Sequence, residues 1–184
     1  TSDIDFGGAS LTPIGGFVHF GSYSLKNSFN GYYDGDFHSL ENFTITTSNS
    51  ESSFEYVGLF GKVSNFSYNH IVDEGGEIKN LKIKNANVSF TTSGSKIVHA
   101  GILIGHLEYS QKSLEGMIQN CVVESSTISI TNTTTEATNP DSVGGFIGWS
   151  KWGSVELNYV SSSSVYLNSN DGNATIGGFI GYNE

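Results

Sequence analysis

Four patterns in this chain have residue types that do chemistry. Asp3/Asp5 and Asp34/Asp36 are each two positions apart, so on a strand each pair faces one side. Two carboxylates on one face suit acid–base attack on a glycosidic bond, or ligation of Ca²⁺. Against that chemistry, Asp34-Gly35 is a turn signal, and Asp3/Asp5 fit a solvated strand edge. All eight basic residues are Lys, so the guanidinium that usually holds an acidic sugar is missing. The histidines His19, His38, His70, His99 and His106 lack metal-ligand spacing. His99 and His106, seven apart around a Gly-rich phrase, read as surface or corner residues. Serines 161–164 have no His or Asp at a recognisable spacing and read as a small-residue turn. No catalytic residue, metal ligand or cofactor is assigned.

Binding chemistry has three candidates. N-x-S/T occurs at Asn42, Asn65, Asn87, Asn132 and Asn173. In a chain this rich in Asn, Ser and Thr the count carries no weight, but position does. Asn65, Asn132 and Asn173 fall in expected loops and, with Asn87, are the glycan candidates; Asn42 belongs to a corner. The stretch NTTTEAT at 132–138 invites an ice-binding reading, which needs the same Thr in every turn. The corresponding loops read TTSGSK and NSNDGN, so that array fails. Tyr32, Tyr33, Trp149, Trp152 and Tyr182 are candidates for a sugar-stacking surface. Trp149 stands where Lys62, His106 and Tyr182 stand in other copies of one phrase, a column expected to be exposed.

That phrase is the main feature of the chain. VGLFGK (57–62), AGILIGH (100–106), VGGFIGW (143–149) and IGGFIGY (176–182) repeat at unequal spacing. The glycines Gly58, Gly61, Gly145, Gly148, Gly178 and Gly181 are expected to permit positive φ or close backbone approach, with Ile102 as the exception. A second phrase follows each: SLENFTI (39–45), IKNLKIKNANVSF (78–90), IQNCVVESSTISI (118–130) and VELNYVSSSSVYL (155–167). Apolar residues alternate within it, which argues strands. One repeat therefore holds about three short strands. Stacking the repeats in parallel gives an all-β, right-handed parallel β-helix, or β-solenoid. Aligning the second phrases puts Phe43, Leu81, Cys121 and Asn158 in one column and Ile45, Ile83, Val123 and Val160 in another. Asn42, Asn80 and Asn120 form an Asn column at the corner, ending at Leu157. Cys121 reads as a small apolar filler.

The chain reads as one domain over 1–184. Residues 1–56 form atypical first turns, 57–99, 100–142 and 143–175 are repeats, and 176–184 start an incomplete turn. The loops 62–77, 91–99, 106–117, 131–142 and 168–174 are expected to project. A net charge of −10 and the lack of Lys/Arg clusters argue against nucleic-acid or anionic-membrane partners. No apolar run reaches transmembrane length. One cysteine excludes an internal disulfide framework. The start at Thr1 and the final GGFIGYNE suggest a piece of a longer array, or a turn completed by another subunit in a head-to-tail filament.

The phrases resemble the GLUG-motif repeat, named for Gly-Leu-hydrophobic-Gly. Gly58-Leu59-Phe60-Gly61 matches it outright, and Gly145-Phe146-Ile147-Gly148 and Gly178-Phe179-Ile180-Gly181 match with Phe for Leu. The opening segment, from Asp3-Ile4-Asp5-Phe6 through Thr12-Pro13-Ile14-Gly15 to Leu40–Ile45, also resembles what precedes such repeats. The resemblance implies a right-handed β-helix module of secreted or surface-attached, adhesin-like proteins, with a structural role and cell-surface or carbohydrate partners. A carbohydrate-active β-helix using Asp34/Asp36 is the alternative.

Overall fold

The computed structural model describes residues 2–20, 23–46, 54–64, 76–93, 97–109, 117–133, 140–170 and 172–184. The chain begins with β1 (Ile4–Asp5), β2 (Ser10–Leu11) and the pair β3 (Gly16–Phe20) and β4 (Tyr23–Asn27). One turn follows as β5 (Tyr32–Asp34), β6 (Ser39–Glu41), β7 (Thr44–Thr46), β8 (Phe54–Val57) and β9 (Phe60–Ser64). The next is β10 (Glu77–Lys79), β11 (Lys82–Lys84), β12 (Asn87–Thr92), β13 (Ile97–Gly101) and β14 (Ile104–Glu108). The third is β15 (Met117–Gln119), β16 (Val122–Glu124), β17 (Thr127–Asn132), β18 (Ser142–Gly144) and β19 (Ile147–Lys151). The last is β20 (Ser154–Glu156), β21 (Tyr159–Ser161), β22 (Ser164–Ser169), β23 (Thr175–Gly177) and β24 (Ile180–Asn183). Among the described residues there is no helix long and apolar enough to cross a membrane.

Apart from the antiparallel pair β3–β4, every strand up to β19 pairs in parallel with the strand five places on. Five parallel sheets result, each visited once per turn. The expectation of about three strands per turn is therefore too low, for two local reasons. The Gly phrase is two strands joined by a sharp bend, and the second phrase is three strands joined by two corners. Val57, Ala100, Val143 and Ile176 share one register column.

The corners explain the second phrase. β10, β11 and β12 start five residues apart, at Glu77, Lys82 and Asn87. Asn80 and Asn85 stand between them at φ 52° and 53°, the left-handed region that Asn tolerates better than most side chains. Each corner reads apolar-x-Asn-apolar, so the two look alike in sequence. That likeness misaligned the first copy by one corner. Leu40, not Ile45, pairs with Ile83 and so shares the column of Val123. Ile45 pairs with Val88, and Phe43 leaves the Leu81–Cys121 column. The Asn column splits likewise. Asn80 Nδ2 donates to Asp34 Oδ1 (3.0 Å), and Asn120 Nδ2 to Asn80 Oδ1 (3.2 Å). Asn42 belongs to a separate ladder, donating to Asp5 Oδ1 (2.9 Å) and accepting from Asn85 Nδ2 (3.1 Å). Leu157 ends the first ladder at φ 54°, 74 % exposed.

The repeat glycines are not in the left-handed region; all but Gly178 sit where backbones touch. A Cβ on Gly105 would lie 2.6 Å from Val57 N and 2.7 Å from Gly61 O. One on Gly148 would lie 2.4 Å from Ala100 N. The first glycine of each phrase is Gly58, Gly101, Gly144 or Gly177 by register, so the second copy keeps the rule and Ile102 is no exception. Ile83, Val88, Ile118, Val123, Ile128 and Ile130 fill the middle turns and are fully buried, each contributing about 1.5–3 kcal/mol. Cys121 fills a gap among them, buried and with its thiol pushed up to about 11 by burial. At one rim, Ile14 and Phe29 bridge to Phe60 and Val63 and cover the edge of β9.

Two outcomes follow. Gly105→Ala should cost about 2–3 kcal/mol in urea denaturation, because backbone must move, whereas Gly178→Ala, with nothing within 4 Å of its Cβ, should stay within about 0.5 kcal/mol. Leu157→Asn should stabilise by about 1 kcal/mol, by relieving a strained corner.

Candidate functional site

The bend in the Gly phrase assembles the densest cluster of functional side chains. His99 on β13 and His106 on β14 stand equally far from the bend at Ile102–Leu103. Folding one strand onto the other puts them side by side, buried at 5 % and 6 % exposure. Their Nδ1 atoms are 2.7 Å apart and their rings nearly parallel at 10°. His106 Nε2 faces Glu108 Oε2 at 3.4 Å. His106 Nε2 can donate there, while at the Nδ1–Nδ1 contact one ring donates and the other accepts. Trp149, in the next turn, stacks on His106 at 4.3 Å and 13°, and Tyr56, in the previous turn, lies 4.6 Å from the other side. Lys62 Nζ pairs with Glu108 Oε2 at 2.8 Å.

The electrostatics follow from burial and pairing. The His106 ring N–H and then Lys62 hold the Glu108 carboxyl at about 2. Burial first, and His106 second, push His99 well below its ordinary value, so it stays neutral. Burial pushes the Tyr56 phenol up. Ser142 shares the His99 column, but its buried hydroxyl has no hydrogen-bond partner. Neither imidazole therefore activates it. The cluster is an internal clasp across three turns, out of reach of a substrate. Sequence reasoning put both histidines at the surface because it read the Gly phrase as one strand. The symmetry of 99 and 106 about the bend was the signal.

The paired carboxylates are first rungs of the corner ladders. Asp34 Oδ1 accepts from the Asp36 N–H (2.9 Å) as well as from Asn80, and Oδ2 accepts from the Tyr32 hydroxyl (3.1 Å). Asp5 Oδ1 accepts from the Gly7 N–H (2.8 Å), and Asp3 Oδ1 from the Ser39 N–H (2.8 Å). These bonds, the backbone N–H first in each case, lower all three acids. Asp36 and His38 line an open cleft beside Tyr33 and Asp34. No group of three or more His, Cys, Asp or Glu among the described residues is arranged to hold a metal ion.

The remaining candidates scatter. Asn87 is exposed on β12, and Asn173 is exposed in a turn. Asn132 was expected in a loop; it ends β17, fully buried, with Nδ2 on both oxygens of Asp141 (3.1 and 3.0 Å), so the folded chain cannot present it to a glycosylating enzyme. Asn65 and most of NTTTEAT lie outside the described residues. Lys62, His106, Trp149 and Tyr182 do form one column, but His106 is buried rather than exposed. Tyr33 turns inward onto Phe60, and Tyr32 lies on a different sheet, so the five aromatic residues make no common surface. Serines 161–164 form a corner at Ser162, φ 49°. Comparison of the chain with protein-family models, with curated proteins and with solved structures finds no match.

The clasp predicts acid sensitivity. His99 titrates lower when folded than unfolded, so the unfolded chain takes up a proton that the folded chain refuses. Stability is complete above the ordinary value of about 6.5 and falls as pH drops below it, by up to about 1.4 kcal/mol per pH unit. Urea midpoints from pH 8 to pH 5 should show this fall. They should show a shallower one in His99→Gln, and equal slopes would refute the assignment.

Proposed function

We propose that this chain is a non-enzymatic structural or adhesive module, a right-handed β-solenoid of GLUG type at or outside a cell surface. The observation that carries the reading is the in-register stack of five parallel sheets, whose backbone groups are satisfied turn by turn. Such a stack is stiff, and it spends its sequence on register rather than on a reaction centre. Right-handedness follows from the strong preference of parallel β connections. The composition, low in charge and rich in Ser, Thr and Asn, suits an extracellular setting, with Asn173, in a turn, as a glycan acceptor. Addition of a further turn from a second copy at β20–β24 would extend all five sheets, and head-to-tail association belongs to this proposal.

A carbohydrate-active reading rests on the cleft beside Asp34, Asp36 and His38. It is weakened by the engagement of the Asp34 carboxylate in corner hydrogen bonds. Beads coated with the protein should be retained on cell-wall material under flow, with no sugar released, and sedimentation should show mass growing with concentration. Sugar release lost in Asp34→Ala would overturn the reading in favour of an enzyme. A monomer at all concentrations would remove the filament alone.

A further inference from the structure

The sheet β2-β7-β12-β17-β22 has the longest strands, and among the described residues its outward strand positions carry no charge. Register stacks Thr44, Asn87, Thr127 and Ser164 in one outward column. Thr46, Ser89, Ser129 and Tyr166 form the second. Thr91, Thr131 and Asn168 form the third. The residues between them, such as Val88, Phe90, Ile128 and Ile130, point into the core, so the outward set is fixed by alternation. Strand geometry spaces this grid at about 4.8 Å along the stack and about 6.6 Å along each strand.

Charge is segregated away from the grid. On the sheet of β6, β11 and β16, Lys84 pairs with Glu41 (2.9 Å) and Lys82 with Glu124 (2.8 Å). On the sheet of β5 and β10, Lys79 approaches Asp34. A chain with net charge −10 thus keeps the outward strand positions of this sheet neutral. The polar groups on that face are also unspent. Thr44 and Thr46 bond to Ala9 and Ser10, but among the described residues the outward side chains of β12, β17 and β22 make no side-chain hydrogen bond within the fold. Tyr166 adds an aromatic ring, 58 % exposed.

We infer that this face docks a neutral, ordered polysaccharide. The inference rests on the adhesive reading and names its partner class. A neutral polysaccharide presents hydroxyls at regular intervals, each able to pair with a Ser, Thr or Asn group that would otherwise be desolvated at a cost. It offers pyranose C–H faces to the Tyr166 ring. A charged polymer or protein patch would find no counter-charge here. The search for a Thr array in the loops missed this surface, because the hydroxyl array lies on the strands.

The test is depletion of the protein from solution by microcrystalline cellulose and by chitin, with pectate as the acidic control. Retention on a neutral solid should survive about 0.5 M NaCl, because no ion pair is involved. It should fall at least about tenfold in Ser129→Lys, at the centre of the grid. Gln119→Lys, on the outer face of β15, should bind like the unaltered chain. Circular dichroism and urea midpoints establish that both variants are folded. Absence of retention on either neutral solid, equal retention by Ser129→Lys, or loss of retention in salt overturns the inference. Ice-crystal shaping abolished by Ser129→Lys, without polysaccharide retention, would assign the face to ice and overturn it too. Bead adhesion that persists in Ser129→Lys would sink this inference while leaving the adhesive reading standing.

Discussion

Backbone hydrogen bonding between successive turns is the constraint on which this fold depends. A short strand such as β11 has no partner within its own turn; its N–H and C=O groups are met only by β6 on one side and β16 on the other. An unmet buried backbone group costs as much as a lost hydrogen bond, so register cannot drift. Other sequence features serve that requirement. Corners must arrive every five residues, which places Asn, Ser or Leu at left-handed φ. The two sheets of the Gly phrase must touch backbone to backbone, which removes side chains at Gly101, Gly105, Gly144 and Gly148.

Local signals were legible where one residue type answers one geometric demand. The Gly columns, the buried Cys121 and the alternating strands of the second phrase are of this kind. Legibility failed where two sites make the same demand. The corners at Asn80 and Asn85 look identical in sequence, so SLENFTI was slid by one corner, and Phe43, Ile45 and Asn42 were given the wrong neighbours. It failed again where the chain folds back on itself. A pattern of glycines and apolar residues does not tell a straight strand from two strands joined by a bend, and only the bend brings His99 to His106. Asn132 was misplaced because a polar run was read as loop; its amide is buried through Asp141, a partner nine residues away.

The functional groups divide by role in the same physical terms. Several ionisable side chains among the described residues are tied down: Glu108 by His106 and Lys62, Asp34 and Asp5 by corner amides, Asp141 by Asn132, Ser169 and the Val98 N–H. Groups engaged in this way hold the stack together. Among the described residues, the outward side chains of β12, β17 and β22 are by contrast free of side-chain hydrogen bonds within the fold, and that contrast separates framework from proposed contact surface.

The amide ladders also give the molecule a polar axis. Each Asn in them donates towards the turn before it, and Asn80 and Asn42 also accept from the turn after. The side-chain dipoles therefore align and add, as peptide dipoles do along a helix. Their positive end meets Asp34 in one ladder and Asp5 in the other, anions that terminate each row favourably. The opposite end of each row stops inside the stack, at Asn120 and Asn85, because Leu157 and Ser125 take the next corners. Anything laid against the first turn meets the two carboxylates of Asp34 and Asp5. The two ends of the stack are therefore chemically unlike: carboxylates close the corners at the first turn, whereas Leu157 and Ser162 close them at the last.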